Sequence, residues 1–111
     1  MLNISKTAHM TIVEMPEKVV FANAENLKFQ LQALIEQGHV NLALNLSKVS
    51  FVDSSGLAVL VAAYKKAQNQ QGDVALVAPT DNVRMLIELT RLHQVFAIYE
   101  DLSAISVVNP S

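Results

Sequence analysis

Four consecutive residues, Asp53-Ser54-Ser55-Gly56, place a carboxylate, two hydroxyls and a glycine at one point of a 111-residue chain. A serine hydroxyl can act as a nucleophile, cap a helix or accept a phosphoryl group, and its surroundings decide which. The hydrolytic nucleophile elbow needs a glycine two residues before and two after the serine. Ser54 has Gly56 after it but Val52 before it, and Ser55 has neither glycine. His9, His39 and His93 are widely separated, and nothing in the sequence ties one of them to the serines as a base. Nor do they show ligand-like spacing with each other or with acidic neighbours, so neither a metal nor another cofactor is expected. Gly38, Gly56 and Gly72 do not compose a phosphate-cradling loop. Capping and phosphorylation remain.

The elements around the serines favour an anion there. Upstream, Val40, Leu42, Leu44 and Leu46 alternate with Asn41, Ala43 and Asn45, which is a strand pattern with one strongly apolar face. Downstream, Leu57, Leu60, Val61 and Tyr64 recur at helical spacing, and that helix runs to about Gln70. The hydroxyls therefore sit where a helix begins, beside free N–H groups and the positive end of its dipole.

The rest of the chain reads as an α/β layer. Leu2 to Glu14 predicts two short strands, and Pro16 ends their pairing. Val19-Val20-Phe21 leads to Asn23, read as the cap of a first helix whose buried stripe is Leu27, Leu31, Leu34 and Ile35 and which Gly38 terminates. Asp73 to Ala78 is a continuous apolar run, as in a strand covered on both sides. Pro79-Thr80 opens a third helix with Val83, Leu86, Ile87 and Thr90 on one face. Val95 to Tyr99 predicts a further strand and Leu102 to Val108 a short closing helix. The expectation is one domain over residues 1–111, with a mixed sheet of four or five strands and helices mainly on one side.

Composition narrows the class of function. Hydrophobic residues make up 51% of the chain, enough for a core, and the net charge is −2 with no Lys/Arg cluster, so no nucleic-acid partner is expected. Cysteine is absent, which removes disulfides, thiol catalysis and cysteine-held zinc. The longest apolar run, Leu57 to Tyr64, is too short to cross a bilayer, and the N-terminus lacks a basic segment followed by an apolar one. These features predict a cytoplasmic protein without membrane insertion. On a helical wheel, with Leu57, Leu60, Val61 and Tyr64 inward, the opposite face carries Val59, Ala62, Ala63 and Lys66. Such an apolar outward face next to the serines suits a closely approaching partner.

The stretch from Asn45 to Leu57, Asn-Leu-Ser-Lys-Val-Ser-Phe-Val-Asp-Ser-Ser-Gly-Leu, closely resembles the signature of STAS-domain anti-sigma factor antagonists. The order of strands and helices along nearly the whole chain resembles that family too. What the resemblance implies is a bacterial partner switch rather than an enzyme. The unmodified protein binds an anti-sigma factor that is often also a serine kinase, which frees a sigma factor. The kinase phosphorylates the first serine of the signature, here Ser54 (Ser55 being the alternative acceptor), and the complex dissociates. A metal-dependent serine/threonine phosphatase resets it. By the family's pattern Asp53 shapes the loop beside the phosphosite and Gly56 lets a partner approach the backbone.

One segment departs from the pattern. Family members commonly carry an acid in a Gly-Glu-Leu-Asp-like stretch before the first helix, where Met15 to Asn23 here offers apolar residues, with Asn23 as a polar group within reach of the serine loop. STAS domains also occur as small scaffold subunits of transport complexes, which need no phosphorylated serine.

Overall fold

The structure is a computed structural model and describes residues 2–7 and 9–103. Its strands are β1 (Asn3–Lys6), β2 (Thr11–Glu14), β3 (Lys18–Val19), β4 (Asn41–Asn45), β5 (Phe51–Val52), β6 (Asp73–Val77) and β7 (Ala97–Tyr99). Alternating with them are α1 (Phe21–Glu36), α2 (Ser54–Asn69) and α3 (Asp81–Leu89), and a 3-10 turn covers Leu92–Gln94. Five strands form a mixed sheet in the order β1-β2-β4-β6-β7. Only β1 and β2 are antiparallel; β2-β4, β4-β6 and β6-β7 run parallel, with a helix in each crossover.

Register explains where the core lies. Val13 pairs with Leu44, Leu44 with Leu76 and Leu76 with Ile98, so the large aliphatic side chains of four strands share one face. That face forms a single apolar cluster with Leu27, Leu31 and Ile35 of α1, Leu60 of α2, and Val83 and Ile87 of α3. The three helices thus lie on one side, as expected. On the opposite face, Ala43 and Val77 gather a smaller cluster with Met10, Ile12 and Tyr99.

Several boundaries differ from the sequence reading. α1 begins before Asn23, with Val20 as its N-cap residue. Asn23 sits in the first turn, where its Oδ1 accepts from the Val20 N–H (2.9 Å) and its Nδ2 donates to the Lys18 carbonyl (2.8 Å). Gly38 does end this helix: its N–H donates to the Ile35 carbonyl and its φ of 104° suits glycine. Before β7, Leu92–Gln94 coils into the 3-10 turn and buries Phe96. The Leu102–Val108 helix lies outside the described residues from residue 104 onward.

The wheel of α2 also needs correction. The buried line is Gly56, Val59, Leu60, Ala63 and Ala67, while Leu57, Val61 and Tyr64 are half-buried. The Tyr64 ring meets Phe96 edge-on, with centroids 5.2 Å apart. Val59 and Ala63, expected outside, belong to the core because α2 has two neighbours, the sheet below and α1 beside it. A helix wedged in this way buries a wider arc than one apolar stripe, and small residues on that arc let α1 come close.

Candidate functional site

The site is built on the second, two-stranded sheet, which no period in the sequence announced. β3 and β5 pair in parallel, Lys18 opposite Phe51 and Val19 opposite Val52, and the Glu17 carbonyl accepts from the Ser50 N–H (2.7 Å). Each strand is two residues long, so neither shows a readable alternation. Because they are parallel, both chains leave at the same end, and each enters a helix almost at once. β3 leads through Val20 into α1, and β5 leads through Asp53 into α2. Two helix N-termini therefore stand side by side.

Asp53 serves both. It is the N-cap of α2, and its Oδ1 accepts from the Gly56 N–H at 2.9 Å. Its other oxygen, Oδ2, accepts from the N–H of Phe21, the first residue of α1, at 3.0 Å. Hydrogen bonds from backbone N–H groups, that of Gly56 foremost and those of Phe21 and Ser55 after it, hold the Asp53 carboxyl below the usual aspartate range, against a smaller opposing effect of burial. Asp53 is therefore a carboxylate at neutral pH.

With Asp53 in the capping position, Ser54 is the first residue of the helix proper, and it is exposed. None of the described residues engages its hydroxyl. Ser55 is half-buried and turns toward a cavity of about 400 Å³ between α1 and α2, shared with Phe21, Ala24, Ala58 and Ala62. Gly56 is buried against its own chain, since a Cβ there would lie 2.0 Å from the Val19 carbonyl oxygen. The close packing on β3 requires a residue without a side chain there.

The other partner-facing candidates divide. Val59 is 1% exposed and cannot present its side chain to another protein. Ala62 is half-buried on the cavity wall. Lys66 forms an ion pair with Glu36 of α1 at 2.7 Å and ties the far ends of the two helices together. Asn23 makes its hydrogen bonds to Lys18 and Val20, not to the serine turn.

Exposed apolar side chains missed in the sequence flank the turn on both sides. Phe21 is 80% exposed on the α1 side. On the α3 side, Phe51, Met85 and Leu89 are 54%, 61% and 74% exposed around a second cavity of about 270 Å³. Met85 and Leu89 stand one turn apart on α3, which is a visible spacing; Phe21 and Phe51 look like core residues until the short sheet is known. Elsewhere, Thr11 Oγ1 and His39 Nδ1 lie 3.2 Å apart, and no three His, Asp or Glu side chains converge on a metal position among the described residues. No described helix is long and apolar enough to cross a membrane.

The family model of the STAS domain matches residues 1–105. The chain belongs to the STAS domain family. Among curated STAS relatives, the anti-sigma-B factor antagonist of Bacillus subtilis is 33% identical over 76 residues, spanning 68% of this chain and 69% of its own. Among solved STAS structures, an anti-sigma factor antagonist from Mycobacterium paratuberculosis superposes with a TM-score of 0.85 at 25% identity, covering 98% of this chain and 92% of that one. The antagonist SpoIIAA of Bacillus shares the fold: its unphosphorylated form superposes with a TM-score of 0.80 at 19% identity over 97% of this chain and 96% of its own. Its phosphorylated form gives 0.74 at 18% over 97% and 99%.

Proposed function

We propose that this STAS domain is a non-enzymatic anti-sigma factor antagonist that works by partner switching. In its unmodified form it binds an anti-sigma factor that doubles as a serine kinase, through the surface around Ser54. Phosphorylation of Ser54 ends the complex, and a metal-dependent serine/threonine phosphatase restores it, all within a bacterial cytoplasm. The names of the relatives support the general role. A solved relative of the same fold that exists in both unphosphorylated and phosphorylated forms supports the covalent switch.

The observation that carries this reading is the division of labour at the turn. Asp53 makes the structural hydrogen bonds, and Ser54 is exposed with its hydroxyl unengaged by the described residues. A phosphoryl group on Ser54 then adds roughly −1.5 to −2 charges without removing a cap from the fold. Between two apolar cavities, the same charge has to be desolvated beside the Asp53 carboxylate whenever a partner covers the turn. Folding tolerates it and docking does not.

Peptide mass spectrometry of the protein drawn from its native cells tests this directly. The expected result is phosphate on Ser54 in the free pool and unmodified Ser54 in the partner-bound pool. A bound partner with Ser54 never modified across growth conditions would instead indicate a scaffold subunit, as in a transport complex. Phosphate on Ser55 would move the switch by one residue.

A further inference from the structure

We infer that Asp53 is a positioning residue that joins the first turn of α1 to the serine turn, so that Phe21 and Ser54 are presented as one rigid surface. The clamp rests on geometry alone; its relevance to docking rests on the partner-switch reading above.

Ser, Thr, Asp or Asn normally stands at a helix N-cap, because its side chain satisfies one of the first free N–H groups. α1 has Val20 there and makes no side-chain cap hydrogen bond. Asn23, the third residue of the helix, reaches back to accept from the Val20 N–H, which leaves the Phe21 N–H still without a local partner. The Phe21 N–H, the first of α1, is instead satisfied from 32 residues away, by Asp53 Oδ2.

Strand pairing explains why this carboxylate is within reach. The pairing of Val19 with Val52 sets Val20-Phe21 alongside Asp53, and the Asp53 N–H donates to the Val19 carbonyl at 3.3 Å. One carboxylate has two oxygens, and here each takes one helix. Charge-assisted bonds of this kind are about twice as strong as neutral ones. Phe21, 80% exposed, would otherwise sit on a frayed first turn. Held by Asp53, it forms with Ala24, Ser55, Ala58 and Ala62 the wall of the cavity next to the phosphosite.

Asparagine separates the two roles, because it has one accepting oxygen and a donating amide. In Asp53→Asn the local bond to Gly56 persists, while the amide nitrogen faces the Phe21 N–H, donor against donor. Asp53→Ser likewise keeps a good cap on α2 but is too short to reach α1. Backbone amide exchange, followed by NMR on the full chain, reads both bonds at once. In either variant the Phe21 amide is expected to exchange at least ~10-fold faster than in the unsubstituted protein, with Gly56 changed by less than ~3-fold. Equal acceleration at both positions, or none at Phe21, would overturn the clamp while leaving the phosphorylation switch untouched. Conversely, a protein whose Ser54 is never phosphorylated but whose Phe21 amide responds as stated keeps the clamp and loses the switch.

Discussion

A methyl group placed on Gly56 would lie 2.0 Å from the carbonyl oxygen of Val19, so helix α2 rests directly on the backbone of strand β3. The glycine in the Asp-Ser-Ser-Gly sequence is therefore a packing requirement of the two-stranded sheet that carries the site. The nearest atoms are Val19 backbone atoms and a Val52 methyl 2.8 Å away, and the backbone cannot rotate aside as a flexible side chain can. Gly56→Ala is expected to destabilise the fold by about 2–3 kcal/mol or more through overpacking. Chemical denaturation checks this, and an unchanged midpoint would refute the close contact.

Under the proposed switch, charge at Ser54 is expected to act on binding and to spare the fold. Ser54→Ala is expected to bind the partner constitutively, and Ser54→Asp to bind more weakly. Full phosphorylation is expected to weaken binding by roughly 30- to 4000-fold, the effect of a buried interfacial charge. Calorimetric titration against the partner recovered from native cells measures this. The melting temperature is expected to move by less than about 4 °C, because the charge sits at a favourable helix end.

Neighbouring positions on α2 separate stability from docking. Val59 is in the core and Ala62 is on the cavity wall. Val59→Ala is expected to cost about 1–3 kcal/mol of folding stability, as methyl groups are removed from a packed site. Ala62→Glu is expected to leave the denaturation midpoint nearly unchanged and to impair partner binding. The reverse pattern would place the docking surface elsewhere.

Acidification reads the carboxylates that hold strand ends and helix starts. Asp53 is held below its ordinary range by backbone donors, and Glu14 below its own by the hydrogen bond from Lys48 and a second from Asn3. A depressed folded-state pKa adds stability above the unfolded-state value, near 4 for these groups. That contribution is lost as pH falls through the folded-state value. Denaturation midpoints of the unsubstituted protein are expected to fall below about pH 4, and those of Asp53→Asn and Glu14→Gln to fall less. Both carboxyls are near the surface, so the effect on each is modest and smaller in high salt.

Much of the layer was legible because its elements are long enough to show a period. The alternation of Leu42 and Leu44 around Ala43 gave away β4, and the Leu27–Leu31–Ile35 stripe gave away α1. β3 and β5 were illegible for the opposite reason: two residues carry no alternation, and their partner strands are more than thirty residues apart. The wheel of α2 misassigned Val59 and Ala63 because alanine and valine on a second face are equally consistent with exposure and with a second packing neighbour. Only the position of α1 distinguishes these.

The chain alone thus sufficed to locate a serine at the start of a helix in an α/β domain, since local spacing and residue chemistry are properties of contiguous segments. Why its glycine must be glycine, and that Phe21 stands beside the serine, were decided by the parallel pairing of two short strands. Such pairing brings together backbone atoms from distant residues, and backbone N–H and carbonyl groups are the same in every sequence. A long-range contact made through them leaves no mark in the order of side chains.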